Sequence, residues 1–436
     1  MSPDLKALLD EAAAPIAERD FVTDAWEGAR ARRRRTRFVT AGVAAAAAAV
    51  VAAVVVIPRG VDDRRTLPAT TPTPSASAPW QAEPVDVLGV DAVFGPTPEQ
   101  AAALPRVDAR TAKTLGLPES LNPDARDIRP LSKDQQALAA SGDNLAPVSA
   151  VLLRFGTDGA MYPVLYRPSL SRPWHEVDTV RLASVTSPEG SVTIALGERA
   201  ISPDRRSVAL VQPDRVIIID AVTATSRTIE VPDAALRSVG WTDDGRYLVA
   251  GSETTQWRVD PSTGRVTRFD GSAYAGRYRL SFGGGGATLA SHAADGAQTD
   301  SRPAPPIFSG AFGETWSSGR FFATAGWLTE KAQLAAPTVG GTVPYQGVLV
   351  ADAPLLDPRM LLVPDNPPDT EFSKGCCRPL RWVADDRLVL LWGDEILVWD
   401  VGRNELSRVS VGPRGDVTAD GSPVPGSLSP IFAVAP

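Results

Sequence analysis

The spacing of apolar residues divides the chain into two kinds of sequence. Phe38–Ile57 is a run of twenty residues without a charged side chain, built mostly of Ala and Val. As a helix rising about 1.5 Å per residue, such a run spans roughly 30 Å, the thickness of a bilayer's hydrocarbon core. From Pro147 onward, short runs of Val, Ile, Leu and aromatic residues alternate with clusters of Asp, Gly, Pro and Ser. That rhythm predicts short strands joined by tight turns.

Three of these stretches superimpose. Ser202-Pro203-Asp204-Arg205-Arg206 leads into Ser207–Val211, then Val216–Ile219 closed by Asp220, then Thr228–Val231. Trp241–Arg246 leads into Tyr247–Ala250, then Gln256–Val259 closed by Asp260, then Val266–Phe269. Trp382–Asp386 leads into Arg387–Leu391, then Ile396–Trp399 closed by Asp400, then Leu406–Val411. From opening residue to closing Asp the interval is 18, 19 and 18 residues, and the first two copies start 39 residues apart. A period near 40 residues is that of propeller blades, in which small sheets stack around an axis because none can bury both faces alone. Weaker copies occur at Phe282–Ser291 and Val348–Asp352, and Ser149–Phe155 with Met161–Tyr166 reads as a degenerate first blade. The expected fold is all-β, a six- or seven-bladed β-propeller over 147–436, the seventh blade requiring strands from the lead-in 81–146. Within that lead-in, Pro98–Leu104 reads as helical and Leu117–Pro130 as turn-rich.

Charge orients the apolar run. Arg30, Arg32, Arg33, Arg34, Arg35 and Arg37 precede it, and such a cationic block stays on the cytoplasmic side, where Arg32–Arg37 meet anionic headgroups. A cleaved signal peptide is the competing reading, but its apolar stretch would be shorter and end in small residues, whereas this one ends in Val54-Val55-Val56-Ile57-Pro58. The expectation is a single-pass cell-membrane protein with residues 1–37 cytoplasmic, a transmembrane helix at 38–57, and everything after it extracytoplasmic. Residues 58–80 form a Pro/Thr/Ser linker whose prolines favour extended chain. The head 1–37 is too short for a core of its own. It carries apolar stripes at Leu5, Leu8 and Leu9 and at Phe21, Val22 and Trp26, which need a cytoplasmic protein partner or the inner leaflet to bury against.

Net charge is −7; the head holds eight basic and seven acidic side chains, so the acid excess lies in the rest of the chain. An acidic outer domain excludes nucleic acid as its partner. The chain has two cysteines, Cys376 and Cys377, and two histidines, His175 and His292. That inventory holds no zinc-binding set. The adjacent thiols are candidates for a vicinal disulfide, for free thiols in the loop Gly375–Pro379, or for an intermolecular bridge. Neither histidine lies in a nucleophile motif, no phosphate loop or calcium loop occurs, and no cofactor, metal or catalytic residue is assigned. Trp241, Trp257, Trp382, Trp392 and Trp399 fall within blade copies, with Trp316 and Trp327 between them. Trp399 reads as packing between blades; Trp392, before Gly393, has a ligand mouth as its alternative, with core packing the favoured reading.

Trp399-Asp400, Ser202-Pro203-Asp204 and Asp243-Asp244-Gly245 resemble the WD-repeat-like propellers of bacterial membrane and cell-envelope proteins. The Gly-His pair of eukaryotic WD repeats is missing, so that family's hydrogen-bonded tetrad is not implied. The layout of basic-ended head, single span and outer propeller also resembles a bacterial group often encoded beside extracytoplasmic-function sigma factors. That resemblance implies a non-enzymatic module that binds an extracytoplasmic ligand and relays to a cytoplasmic regulator such as a sigma factor. The alternative is an extracytoplasmic propeller hydrolase or lyase acting on envelope glycan or peptide, which needs carboxylates gathered at the axis.

Overall fold

A computed structural model describes residues 79–131, 147–183, 185–186, 192–193, 195–223, 225–252, 254–283, 286–304, 306–338, 343–352, 358–364, 377–415 and 424–436. The head, the apolar run Phe38–Ile57 and nearly all of the linker lie outside these residues. Among the described residues no helix is long and apolar enough to cross a membrane.

Six β-sheets follow one another as blades of a propeller. The strands expected in the three superimposed copies form within a residue or two of their predicted limits: Ser207–Gln212, Arg215–Asp220 and Ser226–Glu230 in blade two, Leu248–Gly251, Gln256–Val259 and Val266–Arg268 in blade three, Arg387–Trp392, Glu395–Asp400 and Glu405–Val411 in blade six. The conserved spacing has a local cause. In blade two the Ser202 hydroxyl donates to Asp204 (2.6 Å) and accepts from Ser207 N–H (2.9 Å), and Asp204 accepts from Arg206 N–H. Blade three repeats this with Thr242, Asp244, Tyr247 and Arg246. The fourth turn residue is left-handed in both, Arg205 at φ +62° and Gly245 at φ +70°. The closing aspartates cap the next hairpin: Asp220 accepts from Val222 and Thr223 N–H, Asp260 from Ser262 and Thr263 N–H, and Asp400 from Arg403 N–H. These are turn-forming carboxylates that hold backbone donors.

The strand before each turn is the innermost one, as Ser238–Trp241 is in blade three and Pro379–Ala384 in blade six. Blade one takes its inner strand from the far end of the chain. Leu428–Val434 pairs antiparallel with Ala150–Phe155, Val434 opposite Ala150 and Phe432 opposite Leu152, and Met161–Tyr166 and Trp174–Glu176 complete the blade. Blade four has three paired strands, Tyr278–Gly283, Gly286–His292 and Gln298–Pro303. The stretch between Arg268 and Tyr278 that precedes them makes only the isolated bridge Ala273–Ala297.

Apolar cores fill the wedges between neighbouring blades. Leu388, Leu390, Leu397 and Trp399 of blade six meet Ala323, Val348, Val350 and Leu361 of blade five, and Leu152, Val164 and Phe432 of blade one meet Val389, Ile396 and Val398 of blade six. The wedge around Val249 is the smallest, holding Val249, Ala273 and Ala275 with half-buried Phe269 against them. Trp399 is fully buried and its indole N–H has no acceptor, in keeping with the missing tetrad.

The lead-in supplies no blade of its own. It runs along the outer edges of three blades and pairs with each in parallel: Val90–Phe94 with Arg359–Leu362 of blade five, Arg106 and Ser120 with Arg408 and Val411 of blade six, and Arg129–Pro130 with His175–Glu176 of blade one. The helical stretch expected over Pro98–Leu104 is α1, Pro98–Ala103, started by a Thr97–Gln100 capping box. A second helix, α2 (Ala109–Leu115), is capped by Asp108 and ended by Gly116 at φ +60°. Trp392 fastens the lead-in rather than facing a mouth: it is buried, and its indole N–H donates to the Pro96 carbonyl at 2.8 Å. A Cβ on Gly95 would lie 2.1 Å from the same ring, so only glycine fits there. Of the two readings of Trp392, packing is the one the structure bears out.

Trp399→Ala should cost about 3–5 kcal/mol of stability, the range for emptying a large buried aromatic. Equilibrium urea unfolding of the two proteins checks this. A loss under 1 kcal/mol would mean the wedge between blades five and six is not packed as described.

Candidate functional site

The inner strands end around a cavity of about 320 Å³ at one axial opening. Its wall draws on Arg199, Ile201 and Pro203 of blade two, Trp241, Thr242 and Asp243 of blade three, Arg277 ahead of blade four, Trp316, Ser317 and Gly319 of blade five, Arg381 and Trp382 of blade six, and Pro436.

Arg199 is the hub. It is 4% exposed, and it donates to Asp243 Oδ1 at 2.7 Å and to the Thr315 carbonyl at 2.8 Å. Its Nε lies 3.5 Å from Glu314 Oε2, and its guanidinium sits 4.3 Å from the Trp316 ring centroid. The ring of Tyr274 is on another side at 5.6 Å. Tyr274 donates to Glu314, and its oxygen accepts from Thr315 N–H at 2.9 Å. Burial and the Glu314 charge hold the Tyr274 phenol far above its ordinary pKa. Burial opposes the charge on Arg199, but Tyr274, Asp243 and Glu314 more than compensate and raise its pKa. Asp243 is fully engaged, accepting also from Arg277 N–H and the Ser317 hydroxyl, each at 3.1 Å. Deeper in, Glu198 pairs with Arg378 at 3.0 Å and accepts from Glu314 N–H. Desolvation pushes the Glu198 carboxyl pKa upward.

Arg381 is a cation of another kind. It is 2% exposed and donates to the carbonyls of Ala435 and Leu115, with no carboxylate beside it. Burial and the neighbouring Arg205 lower its pKa to about 9. Trp382 donates its indole N–H to the Trp316 carbonyl and stacks on Phe321 at 6.1 Å, while Trp241 donates to the Ala200 carbonyl. The opening therefore combines three indoles with three arginines and, among its lining residues, one acidic side chain, Asp243, which is already paired. Among the described residues no cluster of His, Cys, Asp and Glu could hold a metal ion.

His292 ends its strand in blade four and is buried; Tyr274 meets it edge-on at 5.6 Å. His175 is buried in strand Trp174–Glu176, not in a loop at a blade edge. Cys377 is disulfide-bonded and fully buried with φ +79°; Cys376 lies outside the described residues, as do Leu5, Leu8, Leu9, Phe21, Val22 and Trp26. The residues that build the axial opening were not singled out as a site from the sequence. A signal existed for two of them, because Trp241 and Trp382 open equivalent copies of the blade repeat. Arg199, Tyr274 and Glu314 had none, since their partners are far away in the chain.

No family model matches the sequence, and no curated protein matches it. Among solved structures, the chain is similar to TolB from Acinetobacter baumannii, with 15% identity over 70% of this chain and 71% of that one and a TM-score of 0.37. It is also similar to an acylaminoacyl peptidase from Pyrococcus horikoshii, with 13% identity over 61% of this chain and 44% of that one and a TM-score of 0.33. The chain is thus an all-β, six-bladed propeller on the ground of its own sheet order, and these distant likenesses add nothing to its function.

His292 gives this region a pH signature. Burial first, and then the Arg279 charge, lower its pKa to about 4 from an ordinary 6.5, against a small upward pull from its backbone bond to Arg277. Above pH 6.5 it is neutral in both folded and unfolded chains. As pH falls from about 6.5 toward 4 only the unfolded chain takes up the proton, so stability drops, and the loss levels off below 4. Its size should be on the order of 1–3 kcal/mol. Subtracting the stability of His292→Leu from that of the wild type at pH 7, 6, 5 and 4 should isolate this slope. A difference that stays flat with pH would contradict the buried neutral imidazole.

Proposed function

We propose that this chain is a membrane-anchored extracytoplasmic propeller that works as a non-enzymatic binding or sensor module, relaying to a cytoplasmic regulator such as a sigma factor. The observation that carries the binding half is the chemistry of the axial opening. A hydrolase or lyase of the glycosidase kind needs two carboxylates free to act as acid and base or nucleophile. Asp243 and Glu314 are instead both held by Arg199, and Glu198 is held by Arg378. Indoles and guanidiniums around an opening are recognition groups, supplying flat apolar surface and directed donors. This favours binding over the hydrolytic alternative.

The anchored half of the reading rests on sequence. The arginine block and the apolar run Phe38–Ile57 support a cytoplasmic head and an outer propeller. Protease added to intact spheroplasts should therefore cut beyond Pro58 and leave residues 1–37 protected. A propeller that resists digestion until the membrane is opened would overturn the topology and, with it, the sensor role.

The relay rests on the head's apolar stripes. Leu8→Ala with Trp26→Ala should abolish co-purification of a sigma factor with the full-length protein while leaving membrane insertion intact. If the wild-type head retains no sigma factor but binds anionic vesicles in a salt-dependent way, it is a lipid-surface segment and the relay falls.

A further inference from the structure

We propose that the axial opening takes a carboxylate carried on a flat apolar body, such as a small aryl acid or the carboxylate end of a chain with an apolar side chain. The inference rests on the opening being the binding site. It goes further by naming what that site recognises.

Three features of the cavity converge on this chemistry. The first is charge. Arg277 and Arg381 line it with no acidic side chain paired to either among the described residues, whereas Arg199 is offset by Asp243 and Glu314. Asp243 is neutralised by Arg199 and saturated by Arg277 N–H and the Ser317 hydroxyl. Arg205 adds a further positive charge close to Arg381. The chain as a whole carries a net charge of −7, so a positive opening is a local reversal of sign. In a recess with low-dielectric walls such a reversal draws anions and repels cations.

The second feature is an excess of donors. Arg381 Nε and Trp316 Nε1 are buried without a hydrogen-bond acceptor, and both residues line the cavity, although the two atoms themselves are enclosed by the wall. Buried donors left unpaired are costly, and the donor a ligand reaches without moving the wall is Arg277. Arg277 is the accessible arm: its side chain is exposed, lies 5.4 Å from the Tyr278 ring centroid and donates to the Gly319 carbonyl at 3.5 Å. A guanidinium so placed matches the two oxygens of a carboxylate.

The third feature is shape. Trp241, Trp316 and Trp382 come from three different blades, and the space among the lining residues is about 320 Å³. That volume lies at the small end of ligand pockets and suits one ring or a short chain end. The irregular stretch before blade four brings Tyr274 and Arg277 to the opening, as the stretch before blade two, which makes only the isolated bridge Ile201–Val208, brings Arg199.

The full-length chain in detergent micelles should be titrated with hydrocinnamate, with its neutral amide hydrocinnamide and with inorganic phosphate, following tryptophan fluorescence and heat. Hydrocinnamate should quench saturably, and the amide and phosphate should each bind at least about tenfold more weakly. Arg277→Gln should weaken hydrocinnamate about tenfold and erase the preference for acid over amide, and added salt should weaken only the acid. Equal affinity for acid and amide, both lost in Trp382→Ala, would overturn the carboxylate while leaving the opening as the site. Phosphate binding as tightly as hydrocinnamate would overturn the apolar body. Hydrocinnamate binding untouched by either substitution, or no binding at all, would overturn this proposal together with the axial site on which it rests.

Discussion

Ring closure is the constraint on which the rest of this molecule depends. Each blade is too thin to bury its own faces, so every apolar wedge exists only while the ring is shut. Shutting it requires Leu428–Val434 to pair with Ala150–Phe155, two segments at opposite ends of the propeller sequence. The pairing is backed on both faces, since Val434 and Phe432 lie in one inter-blade core and Ala433 in the next. If that strand parted, blades one and six would lose the wedge between them and the axial opening would lose the wall that Pro436 and Arg381 supply.

Closure also explains why the axis can hold so much charge. Five blade regions contribute to the network around Arg199, and no two neighbours in the chain would assemble it unaided. A buried guanidinium is tolerable only when its surroundings are fixed before it arrives. The ring does this, setting Asp243 of blade three and the Glu314-Thr315-Trp316 run of one blade-five strand around Arg199 of blade two. Arg381 is held by carbonyls alone and keeps its positive field without a counter-charge. The contrast between these two arginines gives the opening its donor-rich character.

How much of this the sequence disclosed follows the range of the interactions. Turns are local: Ser202, Asp204, Thr242 and Asp244 bond to backbone groups within five residues, so the repeat could be read and its strands placed closely. Inner strands were harder, because Ser238–Trp241 and Pro379–Ala384 precede the turn that marks each copy. Closure of blade one by the last strand and the route of the lead-in along three blade edges left no periodic trace. The hairpin glycine after Trp392 leaves a mouth open as the alternative to packing; what decides its position is Gly95, nearly three hundred residues earlier. The axial site was legible only as two equivalent tryptophans, its charged part being assembled wholly by the fold.

The lead-in has a mechanical consequence. Its first paired element, the hairpin of Pro84–Val87 and Val90–Phe94, lies on the edge of blade five, and its later contacts continue onto blades six and one. A pull on the chain upstream of Trp80 therefore meets this hairpin and the Gly95–Trp392 lock before it reaches any strand of the ring. Tension of that kind loads the edge pairing of blade five first, and the seam between the first and last blades only after that pairing has opened.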